Sequence, residues 1–136
     1  MRSEILDAIY NKLNDIDDIA EVFKYNKGQF DNYPVAVILG TENEKERMSV
    51  KTIFKNYRFK VRIIQEISEE ARGQEAGENL LNSLSDQIDE AFDNDDTLGG
   101  VCDDVLVSSS FIWEDRELLM RVLEMEIICK KLIQII

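Results

Sequence analysis

Residues 53–67 alternate between apolar and polar side chains, and this alternation limits the possible folds more than any other feature of the chain. The apolar positions on one side are Ile53, Tyr57, Phe59, Val61, Ile63 and Ile67. The basic residues Arg58, Lys60 and Arg62 fall on the other side. Because successive side chains of a strand point to opposite faces, the pattern predicts a long strand with one buried face and one basic face.

Two other segments have the periodicity of amphipathic helices. In residues 3–14 the apolar stripe is formed by Ile5, Leu6, Ile9 and Leu13, and it continues to Ile16. Ser3 is a suitable N-cap for this helix, because its hydroxyl can accept a hydrogen bond from a free backbone N–H of the first turn. In residues 69–92 the stripe is formed by Ala76, Leu80, Leu81, Leu84, Ile88, Ala91 and Phe92.

The segments around these helices predict a single α+β domain over residues 1–136. A short strand near 19–25 precedes the buried stretch VAVIL, which Pro34 opens. The polar residues 41–49 predict a mobile surface loop or a hairpin tip. With 44% hydrophobic residues available for a core, we expect an antiparallel β-sheet with two main helices packed on one face and a long C-terminal β-hairpin.

The C-terminal hairpin is predicted from residues 101–133, with its turn at 114–116. A register that places Trp113 opposite Glu117 pairs Phe111 with Leu119, Val107 with Leu123 and Val105 with Met125 on one face. On the second face it pairs Asp104 with Glu126 and Leu106 with Glu124. In this register Cys102 and Cys129 point to opposite faces, so no disulfide bond is expected between them.

The tip of this hairpin is apolar on both faces. Its apolar residues are Ile112, Trp113, Leu118, Met120 and Val122. A two-sided apolar ribbon has to be covered, and the sequence leaves two alternatives open: the first helix of the same chain or a neighbouring subunit.

The composition excludes several classes of function. The chain has no histidine, so Ser-His and Cys-His nucleophile pairs are excluded, and its two cysteines lack the spacing of a zinc site. A net charge of −12 argues against a surface that binds nucleic-acid phosphates. No apolar run approaches the ~18 residues that a membrane helix requires. We expect a soluble intracellular protein that is not an enzyme, with no metal, no cofactor and no membrane partner.

The stretch FDNDDTLGGVCDDV, residues 92–105, raises the question of a calcium loop. An EF-hand starting at Asp93 requires glycine at its sixth position and glutamate at its twelfth, but the chain has Leu98 and Asp104 there. We therefore interpret the stretch as a corner, in which Leu98 returns to the core and Gly99 and Gly100 adopt positive φ.

The order of elements resembles a known family. The stretches that carry the likeness are YPVAVI (33–38), NYRFKVRII (56–64), FDNDDTLGG (92–100) and LEMEII (123–128). Together with the N-terminal helix, they resemble the tail terminator and tail completion proteins of long-tailed bacteriophages. This resemblance implies a virion protein of the tail or neck, assembled in the host cytoplasm as a ring that is typically hexameric. Such a ring caps the tail tube and joins it to the neck, the head completion protein or the connector, and double-stranded DNA passes through it without sequence-specific binding.

Two groups of residues are candidates for the subunit interface of such a ring. The basic residues Arg58, Lys60 and Arg62 could meet the acidic residues Asp104, Glu124 and Glu126 across a head-to-tail contact. The alternative is that these charges are solvated or neutralise each other within one sheet. The apolar residues Ile112, Trp113, Leu118 and Met120 of the tip form the second group. The segments 41–49 and 93–97 are candidate contacts with the tail tube or the neck.

A second class of function fits the acidic composition. A small acidic α+β protein can act as a binding module, either a DNA mimic or an inhibitor of a nucleic-acid enzyme, by occupying a basic groove. One variant addresses the first hypothesis: Arg58→Glu combined with Arg62→Glu is expected to block ring assembly and to leave the monomer folded.

Overall fold

The computed structural model describes residues 2–25, 30, 32–47, 49–66, 71–115, 117 and 119–134, with the side chains of 71–78 and 134 outside the described set. In chain order, the elements are α1 (Arg2–Asn14), β1 (Glu21–Phe23), β2 (Val35–Arg47), β3 (Thr52–Glu66), α2 (Ala71–Asp93), β4 (Asp104–Asp115) and β5 (Met120–Gln134). The chain is therefore α+β, with two helices and a five-stranded sheet.

The sheet is mixed, so the expectation of a purely antiparallel sheet was wrong. Its strand order is β1-β2-β3-β5-β4, and β1 pairs with β2 in parallel, from Glu21 opposite Val35 to Phe23 opposite Val37. Because β1 and β2 run in the same direction, the chain has to return to the starting end of the sheet between them, as in every parallel pair. The other neighbouring pairs are antiparallel.

The core confirms the periodicities of the sequence. Tyr57, Phe59, Val61 and Ile63, which alternate along β3, are buried. They belong to the same cluster as the buried residues of the two helices, which are Ile5, Ile9, Leu13, Leu81, Leu84, Ile88 and Phe92. The spacing of three and four residues places each helical stripe on a single face, which is why both helices can contribute to one core.

Of the two alternatives predicted for the polar stretch 41–49, a surface loop or a hairpin tip, the structure has the second: residues 41–47 are a strand in the outer part of the β2–β3 hairpin. They continue β2 past a β-bulge between Gly40 and Asn43, and they pair with β3 as far as Arg47 opposite Ile53. All of these side chains are exposed. Arg2 fixes the bulge, because its guanidinium donates to Asn43 Oδ1 at 2.9 Å and lies so close to Gly40 that a Cβ there would collide with it.

The corner after α2 has the predicted geometry. Leu98, Gly99 and Gly100 adopt φ angles of 49°, 68° and 90°, and Leu98 is only 4% exposed. The Gly99 N–H donates to Asp95 Oδ1 at 3.0 Å, and the Lys12 ammonium bonds Asp95 Oδ2 at 2.8 Å. This carboxylate therefore ties the corner to α1. Among the described residues, no group of three or more histidine, cysteine, aspartate or glutamate side chains could hold a metal ion.

The register of β4 against β5 differs from the predicted one. Asp115 lies opposite Met120 and Phe111 lies opposite Glu124, so Phe111 does not face Leu119 and the turn lies beyond residue 115. The main reason is the position of the turn, which follows Asp115 and does not lie at 114–116. A β-bulge between Val107 and Ser109 also changes the register by one residue. One extra residue there changes which side chains face the core, so that Val105, Val107 and Ile112 all contact it, which strict alternation does not allow.

Leu119, in the turn before β5, provides a test of local strain. Its φ is 52° although its side chain is 46% exposed, so little burial offsets the cost of the left-handed conformation. We expect Leu119→Gly to raise the free energy of unfolding by about 0.5–1 kcal/mol, after allowance for the greater freedom of glycine in the unfolded chain. Urea denaturation measures the change, and Leu119→Ala, which keeps a Cβ, should show no such gain.

Candidate assembly surface

The predicted basic and acidic residues meet within one sheet. Arg62 Nε lies 2.8 Å from Glu124 Oε1, and Lys60 Nζ lies 3.9 Å from Glu124 Oε2. Arg58 Nη1 lies 2.9 Å from Glu126 Oε1. These five residues, hereafter the charged cluster, lie across β3 and β5 because Lys60 is opposite Glu126 and Arg62 is opposite Glu124. Of the alternatives left open by the sequence, the structure therefore has neutralisation within one sheet.

Glu124 is the most buried member of the charged cluster. Its side chain is 11% exposed, whereas those of Arg62 and Lys60 are each 34% exposed. A carboxylate removed from water to this extent needs cations and hydrogen bonds to compensate for its lost hydration. Arg62 and Lys60 supply them, so these two residues are structural partners of Glu124.

Arg58 extends the charged cluster to β2. Its Nε lies 3.0 Å from Glu44 Oε1 and 3.8 Å from Glu42 Oε1. The hydrogen bond that Arg58 donates to Glu44 raises the pKa of the Arg58 guanidinium above its ordinary value, and the charge of Glu126 acts in the same direction. The side chain of Arg58 therefore connects the three central strands of the sheet across one face.

Asp104 lies apart from the charged cluster. It is opposite Lys130, and Leu106 is opposite Ile128, so neither residue faces the glutamate predicted for it. The predicted register was wrong here mainly because it placed the turn at 114–116, whereas Asp115 still pairs with Met120. Asp104 is exposed at the start of an outer strand.

The apolar residues near the β4–β5 turn are mostly covered by the chain itself. Val122 is 4% exposed, and Ile112 packs against the core. Trp113 is half-buried, and the Arg62 guanidinium lies 6.0 Å from its ring centre. Met120 is half-buried too. The predicted interface residue Leu118 lies outside the described residues.

Two exposed apolar residues lie at this side of the sheet, and sequence reasoning placed Phe111, but not Leu106, on the other face. Phe111 is 52% exposed and Leu106 is 45% exposed, and both belong to β4. The run of three serines at 108–110 was the sequence signal that could have indicated an exposed Phe111. It interrupts the apolar alternation of β4 where the bulge occurs.

Arg121 is a further residue that sequence reasoning missed. Its side chain is 2% exposed, and its Nη2 lies 3.0 Å from Glu114 Oε1. Arg121 alternates in phase with Leu123 and Met125, which lie on the buried face of β5. An arginine at a position that the alternation places inside was the sequence signal for this buried pair. A buried guanidinium needs such partners, and the pair joins β4 to β5 near their turn.

The sheet has an open edge on each side. β4 is the last strand in the order, so its outer edge has no strand neighbour among the described residues. On the other side, β1 pairs only with Val35–Val37. Among the residues that the structure describes, no strand pairs with residues 38–47 along the same edge of β2. Each edge presents unpaired backbone N–H and C=O groups.

The ends of the two helices form an acidic end, which we define by Asp15, Asp17, Asp18, Asp86, Asp89, Glu90 and Asp93. A shallow groove of about 490 Å³ is lined by four of these carboxylates together with Ile16, Gln87, Ala91 and Asn94. Burial raises the pKa of Asp89, and the negative charges of Asp93 and Asp86 raise it further. The like charges therefore repel one another here, and a cationic partner would relieve that repulsion.

Two aspartates with opposite pKa shifts give a prediction for the dependence of stability on pH. The Lys12 hydrogen bond lowers the pKa of Asp95, so its contribution is present above the unfolded pKa of about 3.9 and is lost as pH falls through the lower folded value. For Asp89 the folded pKa is raised, so its favourable contribution is complete below about 3.9 and is lost as pH rises through the folded value.

At pH 7 we therefore expect Asp95→Asn to lower the free energy of unfolding by no more than about 1 kcal/mol, as for a partly exposed ion pair. We expect Asp89→Asn to raise it by about 0.5 kcal/mol, because it removes like-charge neighbours on one helix. Urea titrations at pH 7 and at about pH 3 measure both, and the two effects should fade at the lower pH. If both variants changed the free energy of unfolding in the same direction at pH 7, the opposite pKa shifts assigned to the two aspartates would be contradicted.

The two cysteines lie together, so the expectation that they point to opposite faces was wrong. Both side chains are buried, and their thiols share a hydrogen bond that lowers the pKa of Cys102 and raises the pKa of Cys129. Cys102 belongs to the corner before β4 begins at Asp104, so the alternation of the strand does not apply to it. Its thiol also lies 3.6 Å from the Thr97 carbonyl oxygen.

Neither helix, over its described residues, is long and apolar enough to cross a membrane. No protein-family model matches the chain, and no curated protein matches it.

Proposed function

We propose that the chain is a structural subunit of a bacteriophage tail, which assembles head to tail into a ring that ends the tail tube and joins it to the neck. The observation that supports this most is the pair of open edges on opposite sides of one sheet, β4 on one side and residues 38–47 on the other. Two different edges that are complementary to each other produce a heterologous contact, and such contacts close into rings when the rotation permits.

The buried residues indicate how the helices are arranged on the sheet. We infer that α1 and α2 cover the same face of the sheet, since their buried residues share one cluster with Phe59 and Val61. We also infer that β4 and β5 act as the long closing hairpin of the fold. The charged cluster then lies on the other face, away from the helices.

The charge of the subunit suits a passage for DNA. With a net charge of −12, an assembled ring would repel phosphate groups rather than hold them, and double-stranded DNA could slide through its bore without binding. The acidic end is the part of the described surface with the highest density of carboxylates, and we place it toward that bore.

The exposed end of the sheet is the proposed contact with the tail tube protein. There β2, β3 and β5 extend together, with Ile53 opposite Arg47 at the end of β2 and opposite Ile133 near the end of β5. Val50 is 85% exposed, and Leu132 and Ile133 are 37% and 38% exposed. An apolar end of this kind is suited to burial against another protein, and we place the neck or head completion protein on the opposite side of the ring.

The experiment is a mass measurement by light scattering at several concentrations, with and without polymerised tail tubes, followed by electron microscopy. A ring, with a mass near six times the 15.7 kDa of one chain or seated on tube ends, supports the proposal. A chain that stays monomeric at every concentration and does not attach to tubes contradicts it.

A second candidate function is that of a small acidic binding module, such as a DNA mimic or an inhibitor of a nucleic-acid enzyme. The acidic end favours it, because its carboxylates lie around a groove and raise the pKa of Asp89. This function requires a stable monomer or dimer that binds a basic protein with an affinity that falls steeply in salt. Salt-dependent binding by the monomer, without rings, would replace the first proposal.

A further inference from the structure

We infer that the subunits of the proposed ring join through their sheets: the outer edge of β4 in one copy pairs antiparallel with residues 38–47 of β2 in the next copy. This inference rests on the proposed function and identifies the surface that carries it.

The β4 edge has the properties of an edge that is covered in the assembled protein. Over Asp104–Asp115 it contains no lysine, arginine or proline, which are the residues that commonly protect an outer strand from pairing. It also exposes Phe111 and Leu106, at 52% and 45%. A long outer strand with exposed apolar side chains favours the addition of another strand.

The directions of the strands agree with a head-to-tail continuation of the sheet. β2 and β5 both run antiparallel to β3, and β4 runs antiparallel to β5, so β4 and β2 have opposite directions. When a second copy continues the sheet, its β2 lies antiparallel to β4 of the first. The open part of β2, residues 38–47, is nearly as long as the edge of β4.

Charge decides between β2 and a second β4 as the occupant of this edge. In the antiparallel arrangement, Asp104 at the start of β4 lies beside the end of β2, where Lys45 and Arg47 are exposed. Two β4 edges would instead bring Asp104 of one copy to Asp115 of the other, and like charges at facing positions are destabilising. The glutamates Glu42 and Glu44 of β2 are already paired with Arg58.

The main test is the double variant Leu106→Lys with Phe111→Lys, in the condition under which the wild type forms rings. Both side chains are exposed, so the subunit should stay folded, which circular dichroism and thermal unfolding check. We expect its self-association to weaken about 100-fold or more, because it places two lysines in the covered edge. Leu119→Lys is the matched control, since Leu119 has similar exposure, lies outside β4 and should leave assembly unchanged.

Charge reversal identifies the partner edge. Lys45→Glu with Arg47→Glu should weaken association about tenfold, as should Asp104→Lys alone, and the combination of all three should restore it. Hydrogen exchange should show protection of residues 38–47 and of β4 in assembled wild type but not in the lysine double variant.

The outcomes separate this inference from the proposed function. Rings that form equally well from the Leu106→Lys, Phe111→Lys variant overturn the edge pairing and leave the ring function standing. Assembly that is lost in that variant but insensitive to Lys45→Glu with Arg47→Glu indicates two β4 edges in contact, which overturns the head-to-tail pairing. A wild type that never assembles overturns both proposals.

Discussion

Replacing both Arg58 and Arg62 by glutamate is expected to destabilise the subunit itself, and the loss of the partly exposed Arg62 beside the buried Glu124 accounts for up to about 3 kcal/mol of this. Arg62 is the closer of the two cations beside Glu124, whose side chain is 11% exposed, and the substitution would place a second carboxylate against it. Arg58 loses Glu44 and Glu126 at the same time. Since small domains are stable by only about 5–15 kcal/mol, a change of this size removes much of the folded population.

This prediction differs from the one made from the sequence alone, in which the double variant loses assembly while its monomer stays folded. That expectation depended on the absence of an acidic partner close in sequence, but Glu124 and Glu126 reach the arginines from the neighbouring strand. Urea denaturation followed by circular dichroism measures the loss. The exchanged pair Arg62→Glu with Glu124→Arg is the control, because it keeps one cation and one carboxylate together and should recover part of the stability. A double variant as stable as the wild type would show that the charged cluster contributes little.

Leu98→Ala is expected to lower the free energy of unfolding by about 2–4 kcal/mol, which is large for a residue in a corner between two elements. The side chain is 4% exposed and belongs to the core cluster, so truncation removes apolar contacts and leaves a cavity. Its φ of 49° adds strain, but alanine keeps a Cβ and relieves none of it.

The comparison with Leu119 separates burial from backbone strain. Both leucines have positive φ, but Leu119 is 46% exposed, so Leu119→Ala should change stability by less than about 0.5 kcal/mol. Leu98→Gly also removes the buried side chain, but it relieves the strain of the left-handed backbone. We therefore expect it to lower the free energy of unfolding by about 1 kcal/mol less than the loss of buried contacts alone would. Equal effects of alanine at the two positions, measured by urea denaturation, would contradict the assignment of Leu98 to the core.

Predictions from periodicity succeeded where one element was long and one of its faces was buried. The alternation of Tyr57, Phe59, Val61 and Ile63 identified β3, because the pleat of a strand requires that pattern whatever its neighbours are. The stripes of α1 and α2 were identified for the equivalent reason at helical period. The corner at Leu98–Gly100 was recognised from its glycines, whose positive φ is a local property.

Predictions about pairing failed where a single residue changes a register. The bulge between Val107 and Ser109 places Phe111 on the face opposite to that of Val107, and the late position of the turn brings it opposite Glu124. The run of serines in this part of β4 gives little hydrophobic signal, so the sequence offered no measure of where the extra residue lies. The thiol contact between Cys102 and Cys129 was missed for a related reason, because Cys102 precedes the strand.

The amino-acid sequence by itself determined the helices, the long strands, the glycine corner and the acidic character of the chain, since each depends on residues close together along the chain. Only the tertiary structure decided which strands are neighbours, that Arg62 neutralises Glu124, and that the edges of β4 and of residues 38–47 stay open. The physical reason is that pairing between distant segments depends on backbone hydrogen bonds that every residue except proline can make, so side-chain patterns restrict the register without specifying it.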